Sequence, residues 1–198
     1  MALTYSYAKE EEINLKDLQG NLMVISQYLD EMSENGSSFQ DVQQWLESYY
    51  NKFAGVVGQD LVDIYAVIDG KIVAANPWTD DDDYAYAETA WYRQALQEEG
   101  KMVSGNVYKD AVTGEKVLTI SKALNHTGDV VAMDIFVQNA DLHQFAQTMP
   151  EGCSYFLCDK GGLLIYANAE GANDTDGLQN YASDIRACEE KSVIRILL

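Results

Sequence analysis

Within the run VVAMDIFV, Val130 to Val137, a single carboxylate, Asp134, interrupts an otherwise apolar strand. Taking an ionised carboxylate out of water costs several kcal/mol or more unless it is paired, hydrogen-bonded or protonated. Asp134 therefore calls for a cation or for a set of donors, which local backbone N–H groups could also supply. Upstream, Tyr108 and Asp110 stand two apart in MVSGNVYKD, a spacing that puts both on one side of a strand. The pair Trp91 and Tyr92 in AWYRQAL offers aromatic faces that can hold a cation and can equally fill a core. This is the chemistry of holding a charged group, not of making or breaking bonds. There is no glycine-rich phosphate loop, zinc motif or nucleophile elbow. His126 falls in a predicted turn and His143 on a predicted helix, neither with a sign of a partnered nucleophile. Asp80 to Asp83 carry oxygens suited to calcium, but the run lacks the spaced glycine and closing glutamate of an EF-hand loop and reads as solvated.

Composition narrows the partners. The chain has 198 residues, nearly half of them hydrophobic, and a formal net charge of −19. That suffices for one ordinary domain or two small ones with a real core, and it argues against nucleic acid or an anionic membrane surface as a partner. No apolar run approaches the roughly 20 residues that span a bilayer, and no signal peptide opens the chain. Met1-Ala2 suits an expression start on an excised ectodomain. Cys153, Cys158 and Cys188 fit no zinc pattern; they read as buried free thiols, with one bridge to Cys188 as the alternative.

The elements that must position the candidate residues follow from periodicity. Leu15, Leu18, Leu22, Ile25, Leu29 and Met32 recur in steps of three and four, one seam of a long helix ending near Asn35-Gly36. The seam suits packing within its own domain or pairing with a second chain. A second helix carries the stripe Phe39, Val42, Leu46, Tyr49 and Phe53. Then come strands: LVDIYAVI, an Asp69-Gly70 turn and KIVAAN. A helix spans about Trp91 to Glu98, stopped by Gly100. Three more strands are MVSGNVYKD, EKVLTISKAL and DVVAMDIFV, with turns at Thr113-Gly114 and Thr127-Gly128; Asn139 caps a helix through Thr148. After Pro150 the pattern YAVIDGKIVAAN returns as YFLCDKGGLLIYAN, the start of a second module that closes with a helix and the strand SVIRILL.

Helix first, then an antiparallel sheet interrupted by a short helix, then a second such unit: this order, with AWYRQAL, VYKDAVTGEKVLTISKAL and VVAMDI at their spacings, resembles the double Cache family of extracellular sensor domains over roughly residues 10 to 170. The resemblance implies an α+β fold, a long N-terminal helix packed on a PAS-like antiparallel sheet. It divides the chain into an N-terminal helical region 1–54, a membrane-distal Cache module 55–150 with the ligand pocket, and a partial membrane-proximal module 151–198. In the amino-acid-binding branch, the ligand motif runs through a Tyr, an Arg two places before Trp-Tyr, a Tyr-x-Asp and a later strand Asp. Here those positions fall on Tyr84, Thr89, Trp91 and Tyr92, Tyr108 and Asp110, and Asp134. The Arg of that motif receives the ligand carboxylate, while the Tyr-x-Asp and the strand Asp hold the ammonium.

Threonine in place of arginine leaves the ammonium half of this motif and removes the fixed cation of the carboxylate half. Two carboxylates, Asp110 and Asp134, converging on one site repel unless a proton or a cation relieves them. An alkylammonium does so with three donors, boxed by Trp91, Tyr92 and Tyr108. The resemblance thus implies a non-enzymatic sensor domain on the extracytoplasmic side of a bacterial transmembrane receptor (histidine kinase, chemoreceptor or cyclic-dinucleotide enzyme). Its ligand is a small primary amine or amino-acid-like molecule, with no cofactor and no metal, and its N-terminal helix is the candidate homodimer contact. The competing reading is a structural or dimerisation ectodomain whose pocket has degenerated, with Thr89 as its mark.

Overall fold

In the computed structural model of the chain, the described residues are 2–76, 84–98, 100–137, 139, 155–158 and 164–168. They divide between two units, Leu18–Phe136 and Met1–Asp17 with Val137–Leu198.

Helix α1 runs from Ala2 to Glu34 and α2 from Phe39 to Val57. Between them the backbone turns at Gly36, and Ser38 opens α2 with a capping box in which its hydroxyl accepts from Asp41 N and the Asp41 carboxylate accepts from Ser38 N. This satisfies two backbone donors that a helix start leaves open. Leu22, Ile25 and Leu29 of the predicted seam are fully buried, and Leu15, Leu18 and Met32 are half-buried. On α2 the buried row is Val42, Leu46, Tyr50 and Ala54. The expected stripe of Phe39, Tyr49 and Phe53 is thereby corrected. Phe39 is exposed, and Tyr49 and Phe53 lie half-buried in an aromatic row with Tyr28 and Trp45. Steps of four drift around a helix more than the mixed steps assumed from sequence, and the sheet meets the face they follow.

The sheet has six strands: β1 (Val62–Ile68), β2 (Lys71–Ala74), β3 (Met102–Ser104), β4 (Tyr108–Lys109), β5 (Lys116–Ala123) and β6 (Val130–Phe136). Their order is β2-β1-β6-β5-β3, with β4 also on β5, and every pairing is antiparallel. The β1–β2 turn needs positive φ at both central residues, 50° at Asp69 and 75° at Gly70, the geometry for which Asp-Gly is favoured in a two-residue hairpin. One face of the sheet presents Ile64, Ala66, Val73, Ile120 and Met133, with α2 against β1 and β2. The opposite face presents Tyr65, Val67, Ala74, Val130 and Ala132, and on it sits α3 (Ala90–Gln97) through Trp91 and Ala95. α3 is fixed by its cap, Thr89, whose hydroxyl accepts from Tyr92 N, and by Ser121 Oγ donating to the Trp91 carbonyl at 2.9 Å.

MVSGNVYKD, expected as one strand, divides into β3 and β4. Ser104 pairs with Ile120, but Tyr108, four residues on, pairs with Val117, only three back along β5. This one-residue bulge turns Tyr108 over to the α3 face, where unbroken alternation from Val103 would have sent it to the α2 face.

In the second unit, β7 (Tyr155–Cys158) and β8 (Leu164–Asn168) pair antiparallel, the two strands of the echoed sequence pattern. The expected helix after Asn139, the terminal helix and strand, the Asp80 to Asp83 run, His143 and any bridge between the cysteines lie outside the described residues.

Candidate ligand-binding site

The α3 face of the sheet brings three strands into register at Asp134: Asp63 of β1 is its cross-strand partner on one side and Thr119 of β5 on the other. Asp134 is 5% exposed. Its Oδ1 accepts from three hydroxyls, Thr119 at 2.5 Å, Tyr65 at 3.0 Å and Tyr108 at 3.4 Å, and the Tyr108 and Thr119 hydroxyls are themselves 2.8 Å apart. Donors therefore do meet the buried carboxylate, and they come from side chains on three different strands. No basic side chain among the described residues pairs with it. Burial pushes its pKa up to about 7, against the pull of Thr119 and Tyr65, and Asp110 and Asp63 push it further.

Asp63 was not among the residues singled out from sequence. Its Oδ1 accepts from Ile64 N at 2.9 Å and from Asn76 Nδ2 at 3.1 Å, and burial first, then Asp110, lifts its pKa to about 6. Asp110 follows β4, and its Oδ2 accepts from Val112 N, Thr113 N and Thr113 Oγ1, so it both closes the β4–β5 turn and acts electrostatically on Asp134 and Asp63. Tyr65 and Thr119 were likewise missed. The available signals were polar residues recurring at alternate positions inside buried strands, Asp63 and Tyr65 in LVDIYAVI and Thr119 and Ser121 in EKVLTISKAL.

The remaining predicted residues divide. Tyr84 belongs with the carboxylates: burial raises its pKa, the Trp91 indole lowers it, and Asp134 and Asp110 raise it. Trp91 is 3% exposed, packs edge-on to Tyr65 at 5.2 Å, and its buried Nε1 meets no acceptor at hydrogen-bonding geometry among the described residues. Tyr92 points elsewhere. Its hydroxyl donates to the Gly128 carbonyl at 2.8 Å, six residues along from Asp134 or about 20 Å of extended strand. Through this bond its hydroxyl ties α3 to the β5–β6 turn, while its ring stays edge-on to Trp91 at 5.8 Å. Thr89 spends its hydroxyl on the backbone, donating to the Tyr86 carbonyl at 2.6 Å and accepting from Tyr92 N. Arg93 turns back to the Ala87 carbonyl, exposed. No fixed cation among the described residues faces the carboxylates.

Away from this face, Asp69, His126 and Asp129 bring one ligand atom each within 4.8 Å of the others. Asp129, 2% exposed, already accepts from Asp69 N and meets His126 Nδ1 at 3.2 Å, which accounts for the cluster as a clamp between two hairpin turns.

Comparison with known proteins agrees with this architecture. The ligand-binding domain of Mlp24 with asparagine shares 19% identity at a TM-score of 0.65, covering 98% of this chain and 77% of that one. The ligand-binding domain of the Campylobacter jejuni chemoreceptor Tlp3 in complex with 4-methylisoleucine shares 19% at 0.58, over 84% and 69%. The Pseudomonas aeruginosa PAO1 amino acid chemoreceptor PctC with GABA shares 16% at 0.57, over 79% and 70%. At these identities the likeness is one of fold. A 45-residue stretch is 44% identical to the methyl-accepting chemotaxis protein TlpB of Bacillus subtilis (strain 168), which is 23% of this chain and 7% of that receptor's length. Residues 25–139 match the family described as methyl-accepting chemotaxis protein-like, first PDC sensor domain. That span is more than half of the chain and runs from α1 to just beyond β6, so the chain belongs to this family of chemoreceptor sensor domains.

Proposed function

We propose that this sensor domain captures a small ligand by its primary ammonium group, and that it prefers an amine to the amino acid differing from it by an added carboxylate. The observation that carries this reading is Asp134: nearly buried, ringed by hydroxyls and facing no cation among the described residues. An ammonium brings the missing charge and three donors. In this reading Asp134, Asp110 and Tyr108 hold the ammonium, Tyr84 and Trp91 wall the stem, and Thr89 and Tyr92 set the position of α3. A ligand carboxylate would meet repulsion from Asp110 and Asp134 and no guanidinium to receive it. The relatives that carry this fold are chemoreceptor domains, which supports placing the domain on the extracytoplasmic side of the membrane in a receptor longer than this chain, with ligand capture shifting the balance of two receptor states.

A second reading has one observation in its favour. The Trp91 Nε1, buried beside the Tyr84 hydroxyl without reaching hydrogen-bonding geometry to it, is a donor suited to an acceptor on the ligand, and several related domains were solved with amino acids bound. Paired calorimetric titration decides between the two: an arylalkylamine and its parent amino acid, into the wild type and Thr89→Arg. The amine should bind more tightly to the wild type, and Thr89→Arg should narrow or reverse the preference. Tighter binding of the amino acid by the wild type sinks the amine preference and leaves Trp91 as the carboxylate donor.

A further inference from the structure

We infer that Asp63 is a third anionic contact of this site and that the ligand carries two cationic groups, as a short straight-chain diamine does. The inference rests on the ammonium-capture reading above and deepens it. Asp63 stands directly across from Asp134 on the same face of the sheet, where β-carbons lie about 4.5–5.5 Å apart and like charges oppose each other. Natural sheets avoid that pairing unless something compensates it.

The hydrogen bonding shows where compensation would enter. Among the described residues, each of the three carboxylates is fixed through one oxygen and leaves the other without a partner: Asp134 and Asp63 accept at Oδ1, and Asp110 accepts through its side chain at Oδ2. The free oxygen on Asp134, a side chain nearly closed off from water, marks the interior of the site. The free oxygen on Asp63 marks a second position one strand away. An ammonium held by Asp134 and Asp110 is one contact, and a second ammonium on the same molecule gives the remaining oxygen of Asp63 a partner of its own. A single metal ion does not suit this spacing. Among the described residues, the trio of acidic and histidine side chains whose ligand atoms fall within 4.8 Å of one another is Asp69, His126 and Asp129, not these three.

The test needs no variant to begin. Propane, butane and pentane diamines are titrated calorimetrically into the wild-type domain, each beside the alkylamine of equal carbon number, with calcium chloride as a separate arm. The best diamine should bind about ten-fold or more tightly than its monoamine, the scale of one added charged hydrogen bond. Asp63→Asn, which keeps an Oδ1 for Ile64 and Asn76, should bring the diamine to the level of the monoamine and leave the monoamine unchanged. Equal affinity of monoamine and diamine overturns the two-cation inference while the ammonium reading stands. Binding of neither overturns both. A diamine preference that survives Asp63→Asn removes Asp63 from the site, and thermal stabilisation by calcium that Asp63→Asn abolishes replaces the diamine with a metal.

Discussion

Replacing Asp134 by Asn tests whether this carboxylate is held in a destabilising place for the sake of a ligand. The amide keeps an oxygen where Oδ1 accepts from Thr119, Tyr65 and Tyr108 but cannot ionise. Because burial lifts Asp134 from 3.8 to about 7, the folded state keeps its proton over a range in which the unfolded chain has lost it. The stabilisation linked to that proton is complete below about pH 4 and disappears as pH rises through about 7. Each ten-fold change in proton affinity corresponds to about 1.4 kcal/mol, and part of the shift is shared with Asp63 and Asp110. The ionised side chain therefore costs the ligand-free fold about 2–4 kcal/mol. Asp134→Asn should melt close to the wild type near pH 4 and on the order of 5–10 °C above it at pH 8. Comparing the two proteins at each pH cancels the repulsion from the shared charge of −19, which also grows with pH. The assay is a thermal melt followed by circular dichroism at both pH values without ligand. A variant no more stable than wild type at pH 8, or more stable by the same margin at both, would refute the claim that Asp134 ionises at a cost inside the fold.

Further outcomes follow from the same geometry. Affinity for an amine should rise from pH 5 to pH 8, because the binding form of Asp134 is the ionised one while an alkylammonium stays protonated to about pH 10; calorimetry giving a flat profile takes Asp134 out of the recognition step. Asp134→Ala should weaken amine binding at least ten-fold at pH 8, the scale of a hydrogen bond to a charged group, and unchanged affinity would exclude it. Thr89→Ala should lower stability by about 1 kcal/mol through loss of the α3 cap, readable in urea melts, whereas an unaltered midpoint would show the cap to be idle. Tyr108→Phe removes a hydroxyl shared between Asp134 and Thr119 and should weaken amine binding several-fold with the melting temperature held within a few degrees.

Much of the frame was legible in the chain. The seam Leu22, Ile25, Leu29, the Asp69-Gly70 turn and the apolar strands around Ile120 and Met133 obey periods of 3.6 and 2 that belong to the backbone, so they could be read one segment at a time. Asp134 announced itself because a lone charge in an apolar run is improbable without a partner. Which groups meet it could not be read, because Tyr65, Thr119 and Asp63 come from strands far apart in sequence, and only the order β2-β1-β6-β5-β3 and its register set them beside it. The same holds for Tyr108, which reaches Asp134 through a one-residue bulge that no local pattern signals, and for Tyr92, whose hydroxyl is bound by Gly128 at a turn distant in sequence. Local sequence fixes which side of its own element a residue faces, since that depends on backbone geometry alone. What shares that side is decided by pairing between distant strands, whose register is a property of the whole packed sheet.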